Sequence, residues 1–199
     1  KLSQCGVAFL NSPTDILSVV LRYMGREPNS TNPGDYAAAG KLLTSLRPHI
    51  TYFNSSQYIN DLANGDICVA IGWSGDVLQA ATRAQEAKNG VEVNYVLPKE
   101  GSDVFYDMLV IPSDAKHPDN AHAFINYLMR PEVIAKITNY VSYANANRTA
   151  LPLVDPAIAK NPNIYYGEEM APKMFTQKIL PPKINRVITR EWTKVLTGK

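Results

Sequence analysis

The chain has 199 residues, 45% of them hydrophobic and 19% charged, with 20 basic and 18 acidic side chains for a net charge of +2. That length carries one large domain or two small lobes with real cores. The near-neutral balance and the lack of any long basic run exclude nucleic acid or an anionic membrane as the main partner. No apolar stretch is long enough to cross a bilayer as a helix, and "KLSQCGVAFL" carries no secretory signal. It runs at once into apolar sequence, as if cut from a longer protein.

In chain order, "GVAFL" reads as a short buried strand. A helix follows, starting at Ser12-Pro13 and stopping at Gly25. "REPNSTNPGD" is loop. It contains the glycosylation-like triplet Asn29-Ser30-Thr31, a pattern common by chance. "DYAAAGKLLTSLRPH" is helical as far as Pro48, and "TYF" is a short strand. Ser55 or Ser56 is placed to cap "QYINDLANG", a helix ending at Gly65. "ICVAIGW" has the pattern of a buried strand bounded by turn signals. "DVLQAATRAQEAKNG" is then helical with an Asn-Gly stop.

This order predicts an α/β architecture with a mainly parallel sheet. Ligands gather at the carboxyl ends of strands in such sheets, and Trp73 and Asp76 sit at one. "VEVNYVLPKEG" and "VFYDMLVIPS" are two further alternating strand candidates. "HPDNAHAFINYLMRPEVIAKITNYV" is a long amphipathic helix interrupted at Pro131. "SYANANRTALPLVDP" reads as connector, and the Pro-rich final third ends in the helical "KINRVITREWTKVLTG".

Motifs for catalysis are missing. "GWSGD" lacks the spacing of a nucleophile elbow, and no histidine is placed to serve Ser74 as a base. The sequence has no phosphate-binding glycine loop, dinucleotide fingerprint or zinc-protease motif. His49, His117 and His122 lack ligand spacing, and two cysteines cannot complete a zinc site, so no metal is expected. Cys5 and Cys68 each lead an apolar run. On spacing alone they are either two unpaired core thiols or one disulfide between neighbouring strands.

Aromatics and carboxylates recur together at loop edges. Trp73 precedes Asp76, and Phe105 precedes Asp107 by two positions, the spacing that shares one face of a strand. Asp15 opens the first long helix, and Tyr143 follows the interrupted one. Aromatic faces attract cations and cover alkyl chains, while a carboxylate pairs with an ammonium. Such a set suits an alkyl ammonium ligand. The competing assignment is structural: aromatics at strand ends are commonly core, and Asp at a helix start commonly serves the cap and dipole.

"SSQYINDLANGDICVAIGWSGDV", "YVLPKEG", "INYLMRPEVIA" and "YANAN" together resemble the periplasmic polyamine-binding proteins of bacterial ABC uptake systems, most of all their putrescine-binding branch. The resemblance spans nearly the whole chain but only the later part of that family. It implies an α/β two-lobe periplasmic-binding-protein-like fold, this chain carrying most of the second lobe and part of the first. Residues 1–93 would lie in the second lobe, 94–131 would cross to the first, and 132–199 would return to the second.

The ligand residues it implies are Asp15, Trp73, Asp76, Phe105, Asp107 and Tyr143. Close relatives can carry Glu at the position of Asp15, a longer side chain with different reach. The resemblance further implies a Cys5–Cys68 disulfide, a periplasmic monomer without a cofactor, a ligand such as putrescine or spermidine, and an ABC permease as partner. Two alternatives remain from other classes, a polyamine-sensing module and a polyamine-modifying enzyme. The enzyme would need a flavin, pyridoxal phosphate or an activated nucleophile, for which there is no motif.

Overall fold

The computed structural model describes residues 2–198; Lys1 and Lys199, the outermost residues of the two expected second-lobe segments, lie outside them. The helices are α1 (Leu2–Cys5), α2 (Pro13–Tyr23), α3 (Pro33–Leu46), α4 (Tyr58–Asn64), α5 (Ser74–Ala87), α6 (Pro118–Leu128), α7 (Pro131–Val141), α8 (Pro156–Ala159) and α9 (Pro182–Thr197). The strands are β1 (Val7–Phe9), β2 (Tyr52–Phe53) and β3 (Val69–Ile71). The chain forms two compact units, one of Lys1–Phe105 with Glu168–Lys199 and one of Tyr106–Gly167.

The first unit is built on the expected parallel sheet, in the order β2-β1-β3. Central β1 is buried along its whole length and, with Leu10, runs through the core. α2 adds the fully buried Ile16, Leu17 and Leu21, and α3 adds Tyr36, Ala39 and Leu43. α9 closes this core with Ile184, Val187, Ile188, Trp192 and Val195, a spacing that lines one helical face. Trp192 packs edge-on against Phe53 at 5.3 Å between centroids, and its indole N–H donates to Asn11 Oδ1 at 3.2 Å.

Local signals act as the sequence suggests at most boundaries. Proline occupies the first turn of α2, α3, α6, α7 and α9, where its missing N–H costs no helical bond. Gly65 ends α4 in the left-handed region, φ 81°. The cap of α4 differs from expectation. Neither Ser55 nor Ser56 caps it; Asn54 Oδ1 instead accepts the N–H groups of Ser56 and Gln57, each at 2.9 Å. The Asn89-Gly90 stop also shifts, because Lys88 already takes the left-handed turn at φ 51°.

Three strand expectations are corrected. β3 is an edge strand, and Val69 is 38% exposed rather than buried. Its apolar run reflects pairing with β1 along one edge and partial burial of Ala70 and Ile71 against the core, not burial on both faces. In 91–101, Val91, Val93 and Tyr95 do pack against the core in alternation, but the stretch joins no ladder. In 104–113 there is no strand either; the nearest pairing is a single parallel bridge between Asp103 and Phe175. Met108 and Val110 are each 79% exposed. Alternation creates a face, but a strand also requires a continuous neighbour for its backbone groups. Here the pairing stops at the bridge with Phe175, where Val104 N–H donates to the Phe175 carbonyl, and forms no ladder among the described residues.

The second unit holds α6, α7 and α8, with the helix break at Pro131 where expected. Its core is small: Ala135, Ala150 and Val154, with Ile134, Ile158 and Ala159 against them.

Cys5 and Cys68 form a disulfide with Cα atoms 5.5 Å apart, inside the usual range for such a bond. Both residues are exposed, so neither is a core thiol. They precede β1 and β3 and lie at the amino edge of the sheet.

Candidate functional site

β1 and β3 are parallel neighbours, so the turns that leave them emerge at the same edge. The turn after β1 leads into α2, whose first turn carries Asp15. The turn after β3 leads into α5, with Trp73 at its N-cap and Asp76 in its first turn. An aromatic ring and two carboxylates from distant parts of the sequence therefore belong to one carboxyl edge of the sheet.

The 72–76 turn is fixed by a residue that sequence reasoning did not assign to the site. Tyr58, 1% exposed, donates its hydroxyl to Asp76 Oδ2 at 2.8 Å. The Tyr58 hydroxyl oxygen in turn accepts the backbone N–H of Trp73 at 3.2 Å. Gly72 leaves room for that ring, since a Cβ there would lie 2.8 Å from Tyr58 Cζ and 3.0 Å from its Oη. Gly72 thus makes room for Tyr58, which orients Asp76 and anchors the backbone of Trp73. Tyr58→Phe keeps the ring and removes both bonds. We expect a loss of about 1–3 kcal/mol in unfolding free energy, measured by urea denaturation.

A second cluster lies around Asp15. Gln177 Nε2 donates to Asp15 Oδ1 at 2.6 Å and to Asp103 Oδ2 at 3.4 Å. Burial raises the pKa of Asp103 above its usual value, and the charge of Asp15 adds to the effect; bonds from its own backbone, Ser102 and Gln177 oppose it. Burial also raises the Tyr95 phenol, with a further push from Asp103. Neither Asp103 nor Gln177 was visible as a site residue. The signal would have been Asp103 two positions before Phe105, but nothing local points to Gln177.

The remaining expected residues lie as follows. Phe105 is half exposed at the end of the first unit's long segment. Asp107 is exposed and belongs to the second unit. Tyr143 directly follows Ser142, which ends α7 in the left-handed conformation at φ 60°. Among the described residues no three His, Cys, Asp or Glu side chains group as metal ligands, and no helix is long and apolar enough to cross a membrane.

A parallel sheet that collects an aromatic and carboxylates at its carboxyl edge is the framework of a small-molecule binding protein. Residues 4–165 match the bacterial extracellular solute-binding protein family, and the chain belongs to it. It is 56% identical over 200 residues to the putrescine-binding periplasmic protein PotF of Escherichia coli (strain K12), covering all of this chain and 54% of that protein. It is 53% identical over 199 residues to the putrescine-binding periplasmic protein SpuD of Pseudomonas aeruginosa (strain UCBPP-PA14), again covering all of this chain and 54% of the relative. Among solved structures, a putative spermidine/putrescine ABC transporter protein from Listeria monocytogenes superposes with a TM-score of 0.82 at 25% identity, covering 97% of this chain and 58% of that one. The chain spans about half the length of the curated relatives it matches.

Proposed function

We propose that this chain is part of a periplasmic solute-binding protein that captures a polyamine, putrescine by preference, and delivers it to an ABC permease. The observation that carries this reading is the placement of Trp73, Asp76 and Asp15 at one edge of the parallel sheet. An ammonium needs a carboxylate and a methylene chain needs an apolar wall; that edge offers both. The names of the relatives at 56% and 53% identity support the same ligand class and compartment. They are binding proteins rather than enzymes.

In this reading 1–93 and 132–199 belong to the second lobe and 94–131 crosses to the first. Asp76 holds one ammonium of the diamine, Trp73 and Phe105 wall its methylene chain, and Asp107 and Tyr143 complete the set with Asp15. The protein acts as a monomer. A dication that binds the closed arrangement better than the open one drives closure by that difference in affinity.

Phe105 is a smaller wall than Trp and favours a compact diamine. In parallel calorimetric titrations of the full-length protein, putrescine is expected to bind more tightly than spermidine, with no product formed. The reverse order would remove the putrescine preference. Heat from neither ligand would remove the polyamine reading itself.

A further inference from the structure

The stretch before Phe105 is laced to a second stretch near the end of the chain. Phe175 N–H donates to the Ser102 carbonyl at 3.1 Å, and Val104 N–H donates to the Phe175 carbonyl at 2.7 Å. Asn29 grips the next residues from both sides. Its Nδ2 donates to the Thr176 carbonyl at 2.9 Å, and its Oδ1 accepts Lys178 N–H at 2.8 Å. Arg22 adds a further tie, donating to the Glu100 carbonyl at 2.9 Å and the Lys173 carbonyl at 2.8 Å. The backbone that presents Gln177 is therefore held on both sides. Its amide reaches Asp15 and Asp103 from a built position.

One side-chain amide thus serves two carboxylates. It offers two N–H donors but no positive charge, so it separates the acids without neutralising them. Asp103 stands two positions before Phe105, a residue assigned to the ligand wall, and alternate residues of an extended stretch share a face.

We propose that Asp103 is a further ligand-binding carboxylate of the diamine site, giving the Asp15 end two negative charges to meet the ligand's ammonium. The proposal rests on the polyamine reading and deepens it. An ammonium carries the positive charge that Gln177 lacks and has three donors to share between the two acids.

The ionisable groups facing Asp103 are Asp15 from α2 and Tyr95 from the stretch after α5. The phenol stays neutral across the working range, so Asp15 is the charge that matters. In the free protein, burial and Asp15 hold the Asp103 carboxyl above its ordinary titration range. A bound cation favours the ionised form. Binding therefore releases a proton from Asp103, and affinity rises as pH rises through the Asp103 titration.

The test is calorimetric titration of the full-length protein with putrescine, from about pH 5 to about pH 8, in buffers of different ionisation enthalpy. Wild type should release protons at the acid end of that range. Asp103→Asn, which keeps the shape, should bind putrescine about tenfold more weakly at the alkaline end and release fewer protons at the acid end. Asp103→Glu should retain the proton release. A wild-type affinity and proton count for Asp103→Asn would overturn the role of Asp103 and leave the polyamine reading standing. Failure of the wild type to bind putrescine would overturn both.

Discussion

Asp76→Asn in the full-length protein is expected to weaken putrescine binding by roughly 30-fold to several thousand-fold. That range corresponds to about 2–5 kcal/mol for removing one partner of an enclosed charge pair. The substitution keeps the size of the side chain and an oxygen to accept the Tyr58 hydroxyl, now 2.8 Å from Oδ2. The fold around the turn should therefore survive while the charge is lost. Calorimetry reads the affinity, and thermal unfolding reads the fold. The competing account makes Asp76 a servant of the first turn of α5, where a carboxylate interacts well with the helix dipole. On that account the Asn variant loses stability and binds putrescine normally, and such a result would end the ligand role. Asp107→Asn should show the same separation of affinity from stability.

The parts of this site that were legible are those written locally. "ICVAIGWSGDV" announces a strand, a glycine turn and a helix start within one short stretch, and the fold follows it, with β3 ending at Ile71 and α5 starting at Ser74. Proline at helix starts and Gly65 at a helix end were equally readable, because each acts through its own φ and hydrogen bonds. Long-range convergence was not readable. Tyr58 reaches Asp76 across 18 residues, and Gln177 reaches Asp15 across 162. Asn29 looked like a chance sequon triplet and proves to hold Thr176 and Lys178. The alternation in 104–113 misled for a related reason. A period of two specifies which side chains share a face, whereas pairing depends on a neighbour that the stretch itself does not encode.

Replacing both Cys5 and Cys68 by Ser is expected to cost about 4 kcal/mol of unfolding free energy and leave putrescine affinity nearly unchanged. The energy follows from the 63-residue separation of the bridged positions. Tying the unfolded chain at that distance removes loop-closure entropy worth about 4 kcal/mol in the chain-entropy account. The affinity argument follows from position. The bridge sits before β1 and β3, while Asp15, Trp73 and Asp76 sit after those same strands. Val7, Ala8 and Phe9 pair in register with Val69, Ala70 and Ile71, and Cys68 N–H already donates to the Gly6 carbonyl at 3.1 Å. The strands' own ladder therefore keeps the carboxyl edge aligned once the protein is folded. Urea denaturation of the oxidised protein and the double variant measures the first quantity, and putrescine titration in buffer measures the second. A double variant that unfolds at the same urea concentration would show that the bridge constrains little. One that stays folded but loses putrescine would show that the amino edge governs the site, contrary to the division of labour drawn from β1 and β3.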